Sequence, residues 1–387
     1  MYFVGIDISK YKHDCFITTE TGTVIQESFS FTNCKDGFDE LLSILNLLDN
    51  SKEIRIGFEA TGHYHMNLML FLEKNNYSFM ELNPFLISKF VETITLRKTK
   101  TDKKDSMHIA FYLKTKDYKP HPKQFYHKQS LKALSRRRDA IIHQRSYYLV
   151  QITNILDITF PELKPFFKNK FSATFLYLLN KYKTANKVAS MKDYDSLRKV
   201  SRGKFSYPQF LKLKDLANNT VGIENDLFTF QLETFLDLFS TINIKVDVID
   251  DKISQIIKEL NPKTLGIRGI GIITCAAIIS EYGDISRFSS SDAMVAFAGI
   301  DCKIVQSGTS DYQGKMVKRG SSHLRYYLLL AAEKVFMFEP IFTVYYYKKR
   351  EEGKPHSVVL SHIAKKLIRV IYKLETENIE FDSSKLR

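Results

Sequence analysis

Four carboxylates stand where their types and spacing allow metal-assisted chemistry on phosphate. Asp7 closes the apolar run Tyr2-Phe3-Val4-Gly5-Ile6-Asp7 and Glu59 closes Ile54-Arg55-Ile56-Gly57-Phe58-Glu59, so each marks the carboxyl tip of a predicted strand. Asp102 and Asp105 lie at i, i+3 inside Thr101-Asp102-Lys103-Lys104-Asp105; at the start of a helix that spacing puts both on one face. Acids gathered together repel one another unless a cation sits among them, and oxygen-only ligands favour a hard ion such as Mg²⁺ or Mn²⁺. The chemistry that follows is two-metal attack on a phosphodiester. Taken singly, each acid has an ordinary reading, Asp7 and Glu59 as turn or cap residues and Asp102 as an N-cap. It is the joint pattern that points to a site.

The elements needed to bring these acids together are legible in the first 120 residues or so. Strand 1 ends at Asp7, and strands over His13 to Thr19 and Thr23 to Phe31 flank a hairpin turn at Glu20-Thr21-Gly22. An amphipathic helix from about Phe38 to Leu48, the Glu59 strand, a helix near His65 to Lys74 and a strand Ser78 to Leu82 follow. Asn83-Pro84 opens a short helix, and the Asp102/Asp105 helix runs on through Ile109, Ala110 and Leu113. Three antiparallel strands followed by alternating helices and strands is the order of an RNase H-like (RuvC-like) fold. The predicted class is α/β plus α.

Composition narrows the partners. With 57 Lys+Arg against 43 Asp+Glu the net charge is +14, a balance suited to a polyanion. The 387 residues are enough for two or three domains. Cys15, Cys34, Cys275 and Cys302 are scattered without a CxxC pair, which argues against a zinc site or disulfide framework and fits a reducing cytoplasm. The N-terminus has no basic n-region, and the longest apolar stretch, Ile270 to Ile279, is too short to span a bilayer.

Beyond Gln129 the pattern turns helical. Ser130 to Leu156 carries Lys132, Arg136, Arg137, Arg138 and Arg145 beside apolar residues at helical spacing, and Asn225 to Leu260 repeats such a pattern. Two long helices suggest an antiparallel pair or a dimerising coiled coil, with plain helical packing as the alternative. Between them Pro161 to Gly222 mixes Lys, Phe and Tyr, which reads either as a nucleic-acid clamp or as the core of a globular insertion.

Leu265 to Ala277 resembles a helix-hairpin-helix element, with Gly269 and Gly271 freeing a tight turn and the next helix's amides open to a phosphate. After it come Glu281-Tyr282-Gly283-Asp284-Ile285-Ser286-Arg287-Phe288, Phe297-Ala298-Gly299-Ile300, Gln306-Ser307-Gly308, Lys318-Arg319-Gly320-Ser321 and Leu324-Arg325. With Asp7, Phe58-Glu59-Ala60-Thr61-Gly62 and Lys100-Thr101-Asp102-x-x-Asp105, these blocks resemble the DEDD transposases of the insertion-sequence family that encodes bridge-RNA-guided recombinases, related to pilin-gene invertases. The resemblance covers about half the chain, its second domain running from Leu265 to about Ala332. Arg268 departs from the family's common proline, and Pro161 to Gly222 matches nothing in it.

The resemblance implies a RuvC-like DEDD domain over 1–125, a helical or coiled-coil region over 126–260 with a basic-aromatic insertion at 157–223, and a serine transposase domain over 261–387. It places Ser307 on the family's nucleophilic serine. A serine hydroxyl needs a base, a metal or cationic stabilisation to attack phosphorus, and no Ser-His-Asp arrangement surrounds Ser307, so the metal of the four acids is the expected activator. Lys315, Lys318, Arg319 and Arg325, with Arg136, Arg137 and Arg138, are expected on the nucleic-acid backbone. The implied partners are donor and target DNA, a structured noncoding guide (bridge) RNA that supplies target choice, and further copies of the chain, a dimer pairing into a tetramer on synapsis around a composite site. Two other readings stay open. One is a metal-dependent structure-specific endonuclease using water, and the other is a non-catalytic protein that bridges nucleic acids.

Overall fold

The computed structural model describes residues 1–49, 51–59, 63–94, 102–120, 125–168, 171–307 and 310–385, and of these the side chains of 102–103, 125–128, 302–307 and 310–315 lie outside the description. Lys100, Thr101, the Ala60-Thr61-Gly62 segment and Gly308 of the sequence motifs also fall outside it.

The N-terminal part is built on one five-stranded sheet: β1 (Tyr2–Ile8), β2 (Lys12–Thr19), β3 (Val24–Thr32), β4 (Ile54–Glu59) and β5 (Phe79–Leu82). Its order is β3-β2-β1-β4-β5. β1, β2 and β3 pair antiparallel, while β4 runs parallel to β1 and β5 parallel to β4. Helices α1 (Lys35–Asn46), α2 (His65–Lys74), α3 (Pro84–Ile94) and α4 (Asp102–Lys114) complete it. Side chains along β1 alternate between faces with the strand period of two. Tyr2, Val4, Ile6 and Ile8 join Leu41, Leu45, Leu68 and Leu72 of α1 and α2 in one core, and Phe3 on the other face joins Ile87, Ile109, Tyr112 and Leu113 of α3 and α4 in a second. Gly5 lets α4 approach that second face, because a Cβ there would stand 2.2 Å from the Ser106 carbonyl oxygen and 2.4 Å from the Ala110 nitrogen.

The two long helices are α5 (Phe125–Thr159) and α11 (Asp226–Leu260), and between them lie α6 (Leu163–Phe166), α7 (Ala173–Tyr182), α8 (Ala185–Ala189), α9 (Tyr194–Val200) and α10 (Tyr207–Asn218). Arg138 bonds Asp250, Arg145 donates to Asn243 at 3.5 Å, and the Tyr148 and Phe235 rings lie 6.0 Å apart. Partner numbers that rise on one helix and fall on the other define an antiparallel pair within the chain. In the 161–222 region Phe175, Phe205 and Phe210 are buried in a core with Ile152, Leu156, Leu232 and Leu236. Those three rings therefore pack inside the insertion and are not offered to nucleic acid, since apolar area is more stable out of water.

The C-terminal part runs through a 3₁₀ turn Lys263–Gly266, α12 (Ile272–Tyr282), α13 (Ser291–Ala298), a hairpin of β6 (Cys302–Ser307) and β7 (Ser310–Met316), then α14 (Ser322–Phe338), α15 (Pro340–Glu351) and α16 (His356–Glu377). The hairpin has no counterpart in the sequence reading, which expected a mainly helical domain. The element before the Gly269 turn is a 3₁₀ turn, where the helix-hairpin-helix expectation placed a helix. Gly269 sits at φ +96° with Lys334 backbone 2.9 Å from the position of a Cβ, whereas a Cβ at Gly271 would meet open space. Only the first glycine of the pair is demanded by the turn. Contacts divide the chain into two compact units, one of Met1–Lys132, Pro262–Ile270 and Ile278–Arg387, the other of Ala133–Asn261 and Gly271–Ala277. Among the described residues no helix is long and apolar enough to cross a membrane.

Candidate active site

Sheet register puts the strand-tip acids side by side. Ile6 pairs with Phe58 in the parallel β1–β4 ladder, so Asp7 and Glu59 are the next positions on neighbouring strands, about 4.8 Å apart across the sheet. Both project from the face that carries Gly5 and Gly57, two residues earlier on each strand. The same face receives α4. Its Ser106 and Ala110 backbone crosses Gly5, its Leu113 side chain crosses Gly57, and its Lys114 Nζ lies 3.7 Å from a Cβ placed at Gly22. Gly22 follows Thr19, which pairs with Tyr2 at the amino end of β1. The C-terminus of α4 thus lies at the amino end of β1, and its first turn, with Asp102 and Asp105, lies toward the carboxyl ends of β1 and β4.

Asp7, Glu59 and the first turn of α4 therefore lie toward one face and one end of the sheet. The donors are oxygens throughout, which fits a hard divalent cation. Among the described residues no three His, Cys, Asp or Glu side chains converge as a metal cluster, and the Asp102 side chain lies outside the description. His108, one turn beyond Asp105 on α4, is buried; burial pushes its pKa down and the Asp105 charge pushes it back up.

A carboxylate that the sequence reading missed lies beside Asp7. Asp14 pairs directly with Asp7 across β1 and β2, is 2% exposed, and accepts the Ser30 hydroxyl at 2.6 Å, with Lys12 at 3.5 Å. Its only sequence signal is an acid inside an apolar strand.

Ser307 is the last residue of β6 and pairs with Ser310 across the hairpin turn; the side chains of Ser307 and Lys315 are outside the description. At the base of the hairpin, Val317 donates to the Asp301 carbonyl at 2.8 Å and Lys318 to the Gly299 carbonyl at 3.1 Å. Lys318, at φ +54°, and Gly320, at φ +94°, turn the chain against Gly299, where a Cβ would stand 1.8 Å from the Arg319 carbonyl oxygen. Lys318 and Arg319 face solvent, and the Arg319 guanidinium lies 5.8 Å from the Phe85 ring centroid. Arg325 instead donates to the Ala298 carbonyl at 3.2 Å. It caps α13, so its guanidinium is partly committed to the fold. On α5, Arg136 and Arg137 are exposed, whereas Arg138 is held by Asp250 through two bonds.

Between the end of β5 and the end of α12 lies a polar cavity of about 280 Å³, lined by Glu81, Lys132, Glu281 and Arg287 among others. The Glu281 carboxylate is 1% exposed, with His323 Nδ1 at 3.3 Å and Lys132 Nζ at 4.0 Å. Burial pulls the Arg287 guanidinium down from its ordinary pKa while Glu81 and then Asp284 hold it up. Burial likewise lowers His65, which the Glu81 charge raises from 3.9 Å away. Buried charges persist only when paired, and here Glu281 draws on His323 and on Lys132, 42 and 149 positions away, which no local sequence pattern reveals.

Comparison with known proteins gives two family matches. Residues 4–161 match a model described as Transposase, of the DEDD type, and residues 264–347 match one described as Transposase IS116/IS110/IS902 family. Among curated proteins, the chain is 24% identical over 390 residues to the pilin gene-inverting protein of Moraxella lacunata, covering 98% of this chain and 97% of that one. The pilin gene-inverting protein of Moraxella bovis matches at the same identity and coverage, 24%, 98% and 97%. A protein of the IS117 mini-circle from Streptomyces coelicolor is 21% identical over 402 residues, covering 99% of this chain and 96% of that protein.

Proposed function

Because this chain carries both transposase domains of the IS110 family and so belongs to it, we propose that it recombines DNA through a covalent phosphoserine link at Ser307. The observation that supports this reading is that the first turn of α4 lies toward the sheet face and end that hold Asp7 and Glu59, in a chain whose second family domain contains Ser307. The β3-β2-β1-β4-β5 order supports an RNase H-like domain over 1–125, followed by an assembly region over 126–260 and a serine domain over 261–387.

In the proposed step, Ser307 Oγ attacks a DNA phosphorus and forms a P–O bond. The bond from phosphorus to one sugar oxygen breaks, and that oxygen leaves as a hydroxyl, taking up a proton in place of the one the serine gives up. Attack by a sugar hydroxyl from the second duplex reverses the reaction and joins exchanged strands. Asp7, Glu59, Asp102 and Asp105 would hold Mg²⁺ or Mn²⁺, which when bound polarises the scissile phosphate. Lys315, Lys318 and Arg319 neutralise its charge, and Arg136 and Arg137 with the Gly269–Gly271 turn contact backbone. A structured guide RNA would choose the targets, and two or more chains would complete the composite site. Inversion, in the names of the Moraxella relatives, is one outcome such exchange produces.

The test is to incubate the protein with synapsed DNA, guide RNA and Mg²⁺ and look for a serine-linked DNA adduct. Ser307→Ala should abolish it, and a fully active Ser307→Ala protein overturns the proposal. A water-using endonuclease would release free ends, lose cutting with Asp7→Ala and be indifferent to Ser307→Ala.

A further inference from the structure

The outer face of α16 forms a groove that the chemistry above does not use. Lys366, Arg369 and Lys373 recur at three- and four-residue intervals, a stripe along the helix with Lys365 beside it. With the C-terminal segment Ile379–Lys385 they enclose a cavity of about 540 Å³ whose floor includes Tyr345, Val370 and Phe381. The rim is only partly neutralised. Lys365 meets Asp301 at 3.0 Å and exposed Arg369 meets Asp292 at 3.1 Å, while Lys373 has no carboxylate partner among the described residues. Lys366 lies 5.0 Å from the Tyr345 ring centroid. Burial, then Lys354 and Lys349 from outside the groove and Lys365 from within it, push the pKa of neighbouring His362 down. Burial also lowers Lys366, an ammonium that an arriving anion would stabilise.

We propose that this groove seats an unpaired nucleotide of a single nucleic-acid strand, its base on the apolar floor and its flanking phosphates on Lys366, Arg369 and Lys373. An apolar floor with cations along its helix side suits a base with an exposed π-face, the two carboxylates of the lining, Glu380 and Asp382, being paired with Lys263 and with Lys385; a duplex offers phosphates but no free base. The proposal rests on the chain acting on nucleic acid and is independent of the chemistry at Ser307.

The experiment is fluorescence anisotropy of the full chain, without metal, against labelled oligothymidine, oligouridine and a duplex of about ten nucleotides. The double variant Arg369→Glu, Lys373→Glu should weaken single-strand binding at least about tenfold, and Phe381→Ala about fivefold. The same charge change at exposed Lys204 and Lys212 should alter it less than about twofold. Preference for one oligonucleotide over the other identifies the strand as DNA or RNA. Unchanged binding in the groove variants, or equal losses for duplex and single strand, overturns the proposal. If the groove variants bind normally and still form the Ser307 adduct, the groove falls and the proposed function stands; a wild-type chain that binds no oligonucleotide overturns both.

Discussion

Asp7 and Asp14 face one another directly across the antiparallel strands β1 and β2. Opposed residues have Cα atoms about 4.5–5.5 Å apart and share a face, so the two carboxylates lie on the side of the sheet that α4 covers. Asp14 is buried with Ser30 and Lys12 as partners, while Asp7 at the strand tip is half-buried. At a divalent-ion concentration ten times the dissociation constant, Mg²⁺ or Mn²⁺ should stabilise the wild-type fold by about 1.4 kcal/mol, and Asp7→Asn should lose most of that gain. Thermal unfolding with and without the ion reads the difference, and an undiminished shift in Asp7→Asn would remove that residue from the site.

Gly5 is the tighter of two helix–sheet contacts. Gly5→Ala drives a methyl into the α4 backbone at Ser106 and Ala110, while Gly57→Ala meets the Leu113 side chain at 2.7 Å, which can rotate aside. Gly5→Ala should cost about 3 kcal/mol and Gly57→Ala about 1 kcal/mol. Urea unfolding of both variants checks the ranking. Because α4 carries two of the acids, Gly5→Ala should also depress metal-dependent cleavage more than Gly57→Ala does.

The basic residues around the hairpin divide by partner. Removing Arg325 leaves the Ala298 carbonyl without its donor, so Arg325→Ala should cost about 1–3 kcal/mol of stability. Arg319 is exposed, and Arg319→Ala should unfold within about 0.5 kcal/mol of wild type while weakening DNA binding and flattening its salt dependence. Denaturation paired with a salt titration of binding separates the cap from the clamp.

Glu281 is the most buried member of its ion cluster. Lys132→Met removes the lysine beside it and should destabilise the protein by about 3 kcal/mol, whereas Lys132→Met with Glu281→Gln should recover part of the loss. A double-mutant cycle in guanidinium measures the coupling, and strict additivity would show that the pair does not interact.

The N-terminal part should lose stability in acid. His13, packed against the Phe31 and Phe38 rings, has its pKa pushed down chiefly by burial. Its folded form stays neutral while the unfolded chain takes up a proton near pH 6.5, so its contribution is complete above about that pH and declines as pH falls toward the lowered folded value. His65 and His108 are lowered in the same direction. The melting temperature should therefore drop between about pH 7 and pH 5, and His13→Leu should make the drop shallower. An unchanged slope in that variant would show that His13 is not among the groups responsible.

The elements around the site were legible because local rules place them. Short apolar runs closed by an acid put Asp7 and Glu59 near strand ends, and helix α2 matches its expected span, His65 to Lys74. The β6–β7 hairpin was not legible, since Lys303, Gln306, Asp311 and Gln313 give its strands little apolar alternation. Arg325 and Arg138 carry the same charge as their neighbours, and only their partners, Ala298 and Asp250, distinguish structural from surface arginines.

The sequence by itself determined which residues could do chemistry, which periodic segments would carry them, and the family to which the motifs belong. Tertiary structure decided which face α4 covers, that Asp14 lies beside Asp7, that α5 and α11 pair antiparallel within the chain, and which basic groups remain exposed. Periodicity is set by neighbours a few residues apart, whereas those outcomes depend on strand register, close backbone approach at Gly5 and ion pairs between distant residues, which exist only once the chain has folded.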